Sequence, residues 1–301
     1  MKKTLISLGL LVLYTNAIFS QNEGQQKKLD FQEQLLYSTV KIFCVKVEQN
    51  QLKSGSGTGF YLDFAESENA SRPYIVTNNH VVKNSVVGGF DLILADNNGN
   101  PSESTKRLIL PNFANQWISH PDTAVDLCIM PLAKLINLAY EKNIEFFFKT
   151  FRTIDFPSEE EWESLHVIEE IMIIGYPIGL IDTLNHIPLI RTGTTSSPPF
   201  LDFNGKKEFV IDAGCFPGSS GSPVIYQPKG VIMSSKGKTP VRRFLLLGIL
   251  YAGPEMKVDG EIVVKKIETT VKPLAESHIP INLGYVIKSN RINEFRTIID
   301  K

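Results

Sequence analysis

Cysteine is scarce: Cys44, Cys128 and Cys215 are the only three in 301 residues, so at least one thiol has no partner within the chain. A fold held together by a disulfide framework is thereby excluded. Cys44 and Cys128 each sit in apolar strand-like runs, where a thiol acts as a small buried hydrophobe. Neither Cys-x-x-Cys nor His-Glu-x-x-His occurs, and the five histidines are far apart in sequence, so no metal site is expected. No cofactor is expected either. The stretch Gly55-Ser56-Gly57-Thr58-Gly59 lacks the Gly-Lys-Ser/Thr ending of a phosphate-binding loop and reads as a turn entering a strand at Phe60. An excess of one charge sign is also missing. Lys plus Arg number 31 against 32 Asp plus Glu, and the net charge of -1 leaves no footprint for nucleic acid or an anionic membrane. Basic clusters such as Arg242 and Arg243 read as solvated loop charges. No apolar run reaches the roughly 20 residues needed to cross a bilayer, so stable membrane insertion is not expected.

What is present begins with an export signal. Lys2 and Lys3 precede an apolar run from Leu5 to Leu13, followed by small residues around Ala17 and Ser20. This is the layout of a cleaved signal peptide over 1–20, and it predicts a periplasmic or secreted protein. The Asn69-Ala70-Ser71 triplet would accept a glycan only in a eukaryotic secretory host.

With 43% hydrophobic residues, the chain can bury one large core or two modest ones. After a polar segment over 21–35, short β-type runs recur at 37–47, 59–64, 73–77, 90–95 and 124–131, punctuated by turn residues such as Asp96-Asn97-Asn98-Gly99. A second series covers 168–174, 190–194, 209–213, 223–226, 244–251, 261–267 and 284–287. The pattern predicts an all-β protein with one β-barrel domain over 36–133 and another over 167–288. Between them, 134–166 reads as a partly helical connection. Leu132, Leu135, Ile136 and Ala139 stand at helical spacing, and Ser158 with Glu161 makes a capping box. Ser289 is a candidate N-cap for a C-terminal helix over 289–301, with Ile292, Phe295 and Ile299 on one face. Nothing in the sequence sets the oligomeric state.

The sharpest local signal is Gly218-Ser219-Ser220-Gly221-Ser222-Pro223, between two β runs. A pattern Gly-x-Ser-Gly-x-Pro arises by chance in roughly one chain of this length in 200. A serine hydroxyl is a weak nucleophile until a base takes its proton, and its acyl transition state needs N–H donors aimed at the developing oxyanion. Ser220 is the candidate nucleophile, and the amides of Gly218 and Ser220 are candidate oxyanion-hole donors. His80, just past the strand-like Tyr74-Ile75-Val76-Thr77, is the candidate base. Asp126, directly before Leu127-Cys128-Ile129-Met130, suits the task of holding that histidine through Nδ1. Asp122, after His120-Pro121, competes for the task but lies in turn-like sequence and ranks second. The order His, Asp, Ser is the one used by chymotrypsin-type enzymes.

On these motifs the sequence resembles the trypsin-like peptidases of the chymotrypsin clan, particularly the bacterial branch that includes glutamyl endopeptidases. Thr77-Asn78-Asn79-His80-Val81-Val82 is similar to that branch's histidine motif, Asp126-Leu127-Cys128-Ile129 to its aspartate strand, and Gly218 to Val224 to its serine loop. The resemblance implies a chymotrypsin-like double β-barrel of two six-stranded barrels. It also implies a C-terminal helix packed on the second barrel, and a serine endopeptidase acting on polypeptide through an acyl-enzyme. Gly248 to Gly253 is similar to the strand beside the specificity pocket, which makes Tyr251, Ala252 and Gly253 candidate substrate-binding residues by strand addition. Asn282 to Ile287 is similar to the pocket's far wall. Two departures stand out. Ser219 occupies the place where the digestive enzymes put an aspartate, and Gly214, a further candidate substrate-binding residue, stands where basic-residue specialists carry an acid. Neither trypsin-like nor glutamyl specificity is carried over. No further domain is expected beyond the helix.

Two rival readings stay open. One is a catalytically inactive binding or scaffold protein on the same fold. The other is an α/β-hydrolase using Ser220, Asp259 and His278, although its Gly-x-Ser-x-Gly elbow fails at Ser222.

Overall fold

The computed structural model describes residues 29–65, 70–227, 244–253, 255–261 and 274–300. The expected signal peptide, Asn69, Arg242, Arg243 and most of the run expected over 261–267 lie outside them.

The chain enters through a one-turn helix, α1 (Phe31–Leu35), within the segment read as merely polar. Asp30 and Glu33 cap it reciprocally, each side chain taking the other's backbone N–H. Five strands and a second short helix follow: β1 (Thr39–Glu48), β2 (Gln51–Asp63), β3 (Pro73–Thr77), α2 (Asn79–Val82), β4 (Ser85–Ala95) and β5 (Pro101–Pro111). The two-residue β6 (Ile118–Ser119) and β7 (Cys128–Pro131) come next, then α3 (Ala133–Tyr140), β8 (Phe151–Arg152) and α4 (Glu159–Ser164). The second half comprises β9 (Glu170–Gly175), β10 (Leu189–Thr195), β11 (Glu208–Asp212), β12 (Pro223–Tyr226), β13 (Leu245–Ala252), β14 (Glu255–Glu261), β15 (Leu274–Pro280) and β16 (Leu283–Lys288).

The second half holds a closed six-stranded barrel in the order β10-β11-β16-β13-β12-β9, with β14 and β15 as a separate hairpin. The first half is an eight-stranded sheet, β5-β4-β1-β2-β3-β7-β6, with β8 added beside β2. The fold is mostly β, in keeping with a chymotrypsin-like double β-barrel. Among the described residues strands do not alternate with helices, so the α/β-hydrolase reading fails. Its Asp259 and His278 fall on the hairpin strands β14 and β15.

Period-two alternation, reset by one residue at the bulge that leaves Leu247 unpaired between Leu246 opposite Ile225 and Gly248 opposite Val224, explains the continuous apolar run of β13. Leu245, Leu247 and Leu250 face the barrel interior with Ile173, Phe209 and Val224. Leu246 and Ile249 face the other way, into a cluster shared with Phe60, Leu62, Val76 and Ile129 of the first sheet. That shared cluster glues the two halves, each fully buried Leu or Ile contributing about 1.5–3 kcal/mol.

Several expectations need correction. The Gly55–Gly59 stretch is not a turn but part of β2, paired along β1 from Gly55 opposite Cys44 to Gly59 opposite Val40. A Cβ on Gly57 would sit 2.4 Å from Val81 Cγ1, so close strand-to-helix packing is what demands glycine there. Ser289 is not an N-cap. It is the buried first residue of a 3-10 helix, Ser289–Phe295, that runs into α5 (Arg296–Ile299). The cap position falls on Lys288, whose extended backbone ends β16 and whose side chain makes no cap bond. This C-terminal element also packs across the seam rather than on the barrel alone. Ile292 and Phe295 enter the shared cluster, while Arg72 bonds Asp300 at 2.7 Å and His120 Nε2 lies 2.9 Å from the Arg291 carbonyl.

Candidate active site

α2 is four residues long and begins straight after β3. Burial of Val81 and Val82 against the first sheet turns His80, between Asn79 and Val81, to the surface. Asp126 meets it from the turn before β7. One carboxylate oxygen accepts the His80 backbone N–H at 2.8 Å, and the other is hydrogen-bonded to ring Nδ1. Asn78 Nδ2 donates to the Asp126 carbonyl at 2.9 Å and fixes the same turn. A carboxylate accepts only, so Nδ1 is the donor in this pair, and Nε2 is the ring nitrogen left to act as an acceptor. The competing Asp122 is engaged elsewhere, pairing with Arg291 at 2.7 Å. The Ala124 N–H and the Arg291 guanidinium hold its carboxyl below the ordinary range.

Ser220 lies on the loop between β11 and β12. The loop turns at Gly218 (φ +86) and Gly221 (φ +88), backbone conformations closed to most side chains. A Cβ on Gly221 would also fall 1.9 Å from the Thr58 carbonyl oxygen. In a trans peptide the C=O and the following N–H point in opposite directions. The Pro217 carbonyl accepts from Ile178 N–H at 2.6 Å and the Ser219 carbonyl from Ser222 N–H at 3.0 Å. The amides of Gly218 and Ser220 therefore point away from Ile178 and Ser222 respectively, and among the described residues neither finds an acceptor.

Sequence reasoning missed the residue that holds this loop from the other half. Fully buried Thr58, on β2, donates its N–H to the Ser220 carbonyl at 2.9 Å and its hydroxyl to the Gly218 carbonyl at 2.9 Å. Its own carbonyl accepts from Thr77 Oγ1 at 2.7 Å, three residues before His80. Serine loop and histidine turn are thus pinned to one threonine. The Ser220 hydroxyl donates to the Tyr251 carbonyl at 3.3 Å, and among the described residues no hydrogen bond joins it to His80.

That carbonyl is free because β13 bulges: Leu250 pairs with Val286 and Ala252 with Tyr285, which leaves Tyr251 as the extra residue. The Tyr251 phenol donates to Glu208 at 2.9 Å, and burial raises it above the ordinary phenol range. Gly253 follows at the strand's end. A Cβ on Gly253 would lie 3.4 Å from Cys215 Cβ, and one on Gly284 would lie 2.5 Å from Cys215 Sγ. Cys215, also missed, therefore lies between these two glycines. Burial pushes its thiol up to about 11, so it is neutral at ordinary pH. The Gly214 carbonyl accepts from Arg191 Nη1. All three cysteines are free and buried. Among the described residues no cluster of His, Cys, Asp or Glu could hold a metal, and no helix is long and apolar enough to cross a membrane.

An all-β fold with a histidine–carboxylate pair and a serine on a glycine turn between its halves defines a class, the chymotrypsin-like peptidase architecture. The family model for the trypsin-like peptidase domain matches residues 57–232. The chain belongs to this trypsin-like peptidase family, and its membership supports a protease function of the serine type. Among solved structures, it is similar to the active form of the Rv3671c protease from M. tuberculosis, with 14% identity and a TM-score of 0.41 over 87% of this chain and 81% of that one. An inactive form of the same protease matches at 15% identity and a TM-score of 0.40, over 88% and 90% of the two chains. No curated protein sequence matches the chain.

Proposed function

We propose that the protein is an exported serine endopeptidase in which Ser220, His80 and Asp126 act as a triad. The observation that carries this reading is the double grip of Asp126 on His80, in a turn tied through Thr77 and Thr58 to a serine loop that leaves two amides without an acceptor among the described residues. Ser220 Oγ swings from the Tyr251 carbonyl to His80 Nε2 and gives up its proton there while its oxygen attacks the scissile carbonyl carbon. The oxyanion accepts from the Gly218 and Ser220 N–H groups. Collapse breaks the C–N bond, and the leaving amine takes the proton from Nε2. Water then repeats the sequence on the acyl ester of Ser220. Asp126 stabilises the imidazolium in both halves of the cycle. Substrate backbone adds to the edge formed by Tyr251, Ala252 and Gly253, with Gly214 and Cys215 at the neighbouring pocket. That pocket has no carboxylate at position 214 to favour a basic residue.

A fluorophosphonate probe tests the chemistry without a known substrate. Ser220 becomes labelled in the wild type, Ser220→Ala is silent, and Asp126→Asn reacts about 10⁴-fold more slowly. A second reading, an inactive binding protein on the same fold, draws on the Ser220–Tyr251 bond, which leaves the hydroxyl away from His80. Well-folded wild type that takes no label would establish it. N-terminal sequencing of secreted material tests export, since an intact Met1 contradicts a cleaved signal peptide.

A further inference from the structure

Arg191 stands on β10, paired with Ile173 of β9, and reaches under the nucleophile loop. It is half-buried, and burial lowers its pKa from the usual guanidinium value. Among the described residues no carboxylate pairs with it, and its buried Nε has no partner. An uncompensated cation in such a place is costly and would drift out to solvent unless something specific held it. What holds it is the loop. Nη1 donates to the Gly214 carbonyl at the loop's entry, and Nη2 donates to Ser219 Oγ at 3.1 Å.

Ser219 is the buried residue between Gly218 and Ser220, the two residues whose amides find no acceptor among the described residues. Thr58 restrains the same stretch from the first sheet, through the Gly218 and Ser220 carbonyls. The loop is thus gripped on opposite sides, by a threonine of one half and an arginine of the other. A guanidinium is rigid and planar and can reach two acceptors at once, whereas an ammonium is a point donor on a flexible stem and cannot span both.

We propose that Arg191 is a positioning residue for catalysis, its planar fork bridging Gly214 and Ser219 so that the Gly218 and Ser220 amides stay aimed at the oxyanion. The assignment rests on the peptidase reading above. It acts through the loop and touches no reacting atom.

The test compares the fluorophosphonate labelling rate of Ser220 in wild type, Arg191→Lys, Arg191→Ala and Ser219→Ala, with kcat and KM measured on a cleavable peptide. Losing aim at an oxyanion donor costs roughly 10²-fold in rate. Arg191→Lys and Arg191→Ala therefore label roughly 10²-fold more slowly, with the loss in kcat, KM within about twofold and the pH midpoint unmoved. Ethylguanidinium restores part of the rate in Arg191→Ala by bridging the same two acceptors. Ser219→Ala, which leaves the barrel residue in place, loses about tenfold and keeps the assignment testable if the arginine variants do not fold. Labelling within about threefold of wild type in Arg191→Lys and Ser219→Ala overturns it, leaving the peptidase reading intact. A loss confined to KM for acidic peptides also overturns it, since the guanidinium would then be binding substrate. Wild type that takes no label removes both readings together.

Discussion

A threonine hydroxyl can donate once and accept as well, and Thr58 does both where it matters. It donates to the Gly218 carbonyl at 2.9 Å and accepts the Tyr176 N–H at 3.1 Å. Valine has the same shape with neither capacity. Thr58→Val is expected to leave two buried backbone groups unpaired, lowering stability by about 1–3 kcal/mol and the labelling rate of Ser220 by about tenfold. Thr58→Ser keeps the hydroxyl and should retain most of both. Calorimetry beside probe labelling checks this, and equal rates for the two variants would remove the alignment role. At this scale the sequence points only to residues whose type chemistry restricts. His80, Asp126 and Ser220 belong to a short menu of groups able to move a proton or attack a carbonyl. Thr58 and Arg191 are ordinary surface-type residues whose meaning comes from partners far along the chain, and no local pattern announces such contacts.

Elements were legible wherever a local rule decides the structure. Pro73–Thr77 and Pro223–Tyr226 are strands with the bounds expected from their apolar runs and flanking turns. The capping box before α4 also forms, with Ser158 Oγ accepting Glu161 N–H at 3.2 Å and Glu161 accepting Ser158 N–H at 2.8 Å. Ser158→Ala is accordingly expected to cost about 1 kcal/mol in a denaturant midpoint while leaving the Ser220 labelling rate unchanged. A larger loss would mean that α4 supports more than itself. Failures came where partners override local preference. β5 carries Ser, Glu, Thr, Lys and Arg in succession, largely exposed on both faces, so that stretch offers no apolar alternation, and its pairing with β4 is what makes it a strand. Gly55 and Gly57 looked like turn residues because the sequence does not show Cys44 and Val81 pressing on them.

For the whole molecule, the buried acids set an alkaline limit. Burial lifts the Cys215 thiol from 9.0 to about 11, and raises those of Cys128 and the phenols of Tyr61 and Tyr176 as well. Below pH 9 both folded and unfolded chains keep these protons, so the groups contribute no pH dependence. Above it the unfolded chain releases them first, and stability falls as pH rises toward the folded values. The melting temperature is expected to hold up to about pH 8.5 and to decline beyond it, with a shallower decline in Cys215→Ala. Scanning fluorimetry across pH 7 to 10.5 reads this directly, and an identical slope in the variant would assign the decline to the other groups.

The apolar cluster shared by the first sheet, the barrel and the C-terminal segment has one more consequence. Cohesion between the halves lives in apolar contacts, and the segment over 134–166 adds Phe151 and Phe156 to them rather than serving as a mere tether. A nick in an exposed turn of that segment would give two polypeptides that stay clasped together.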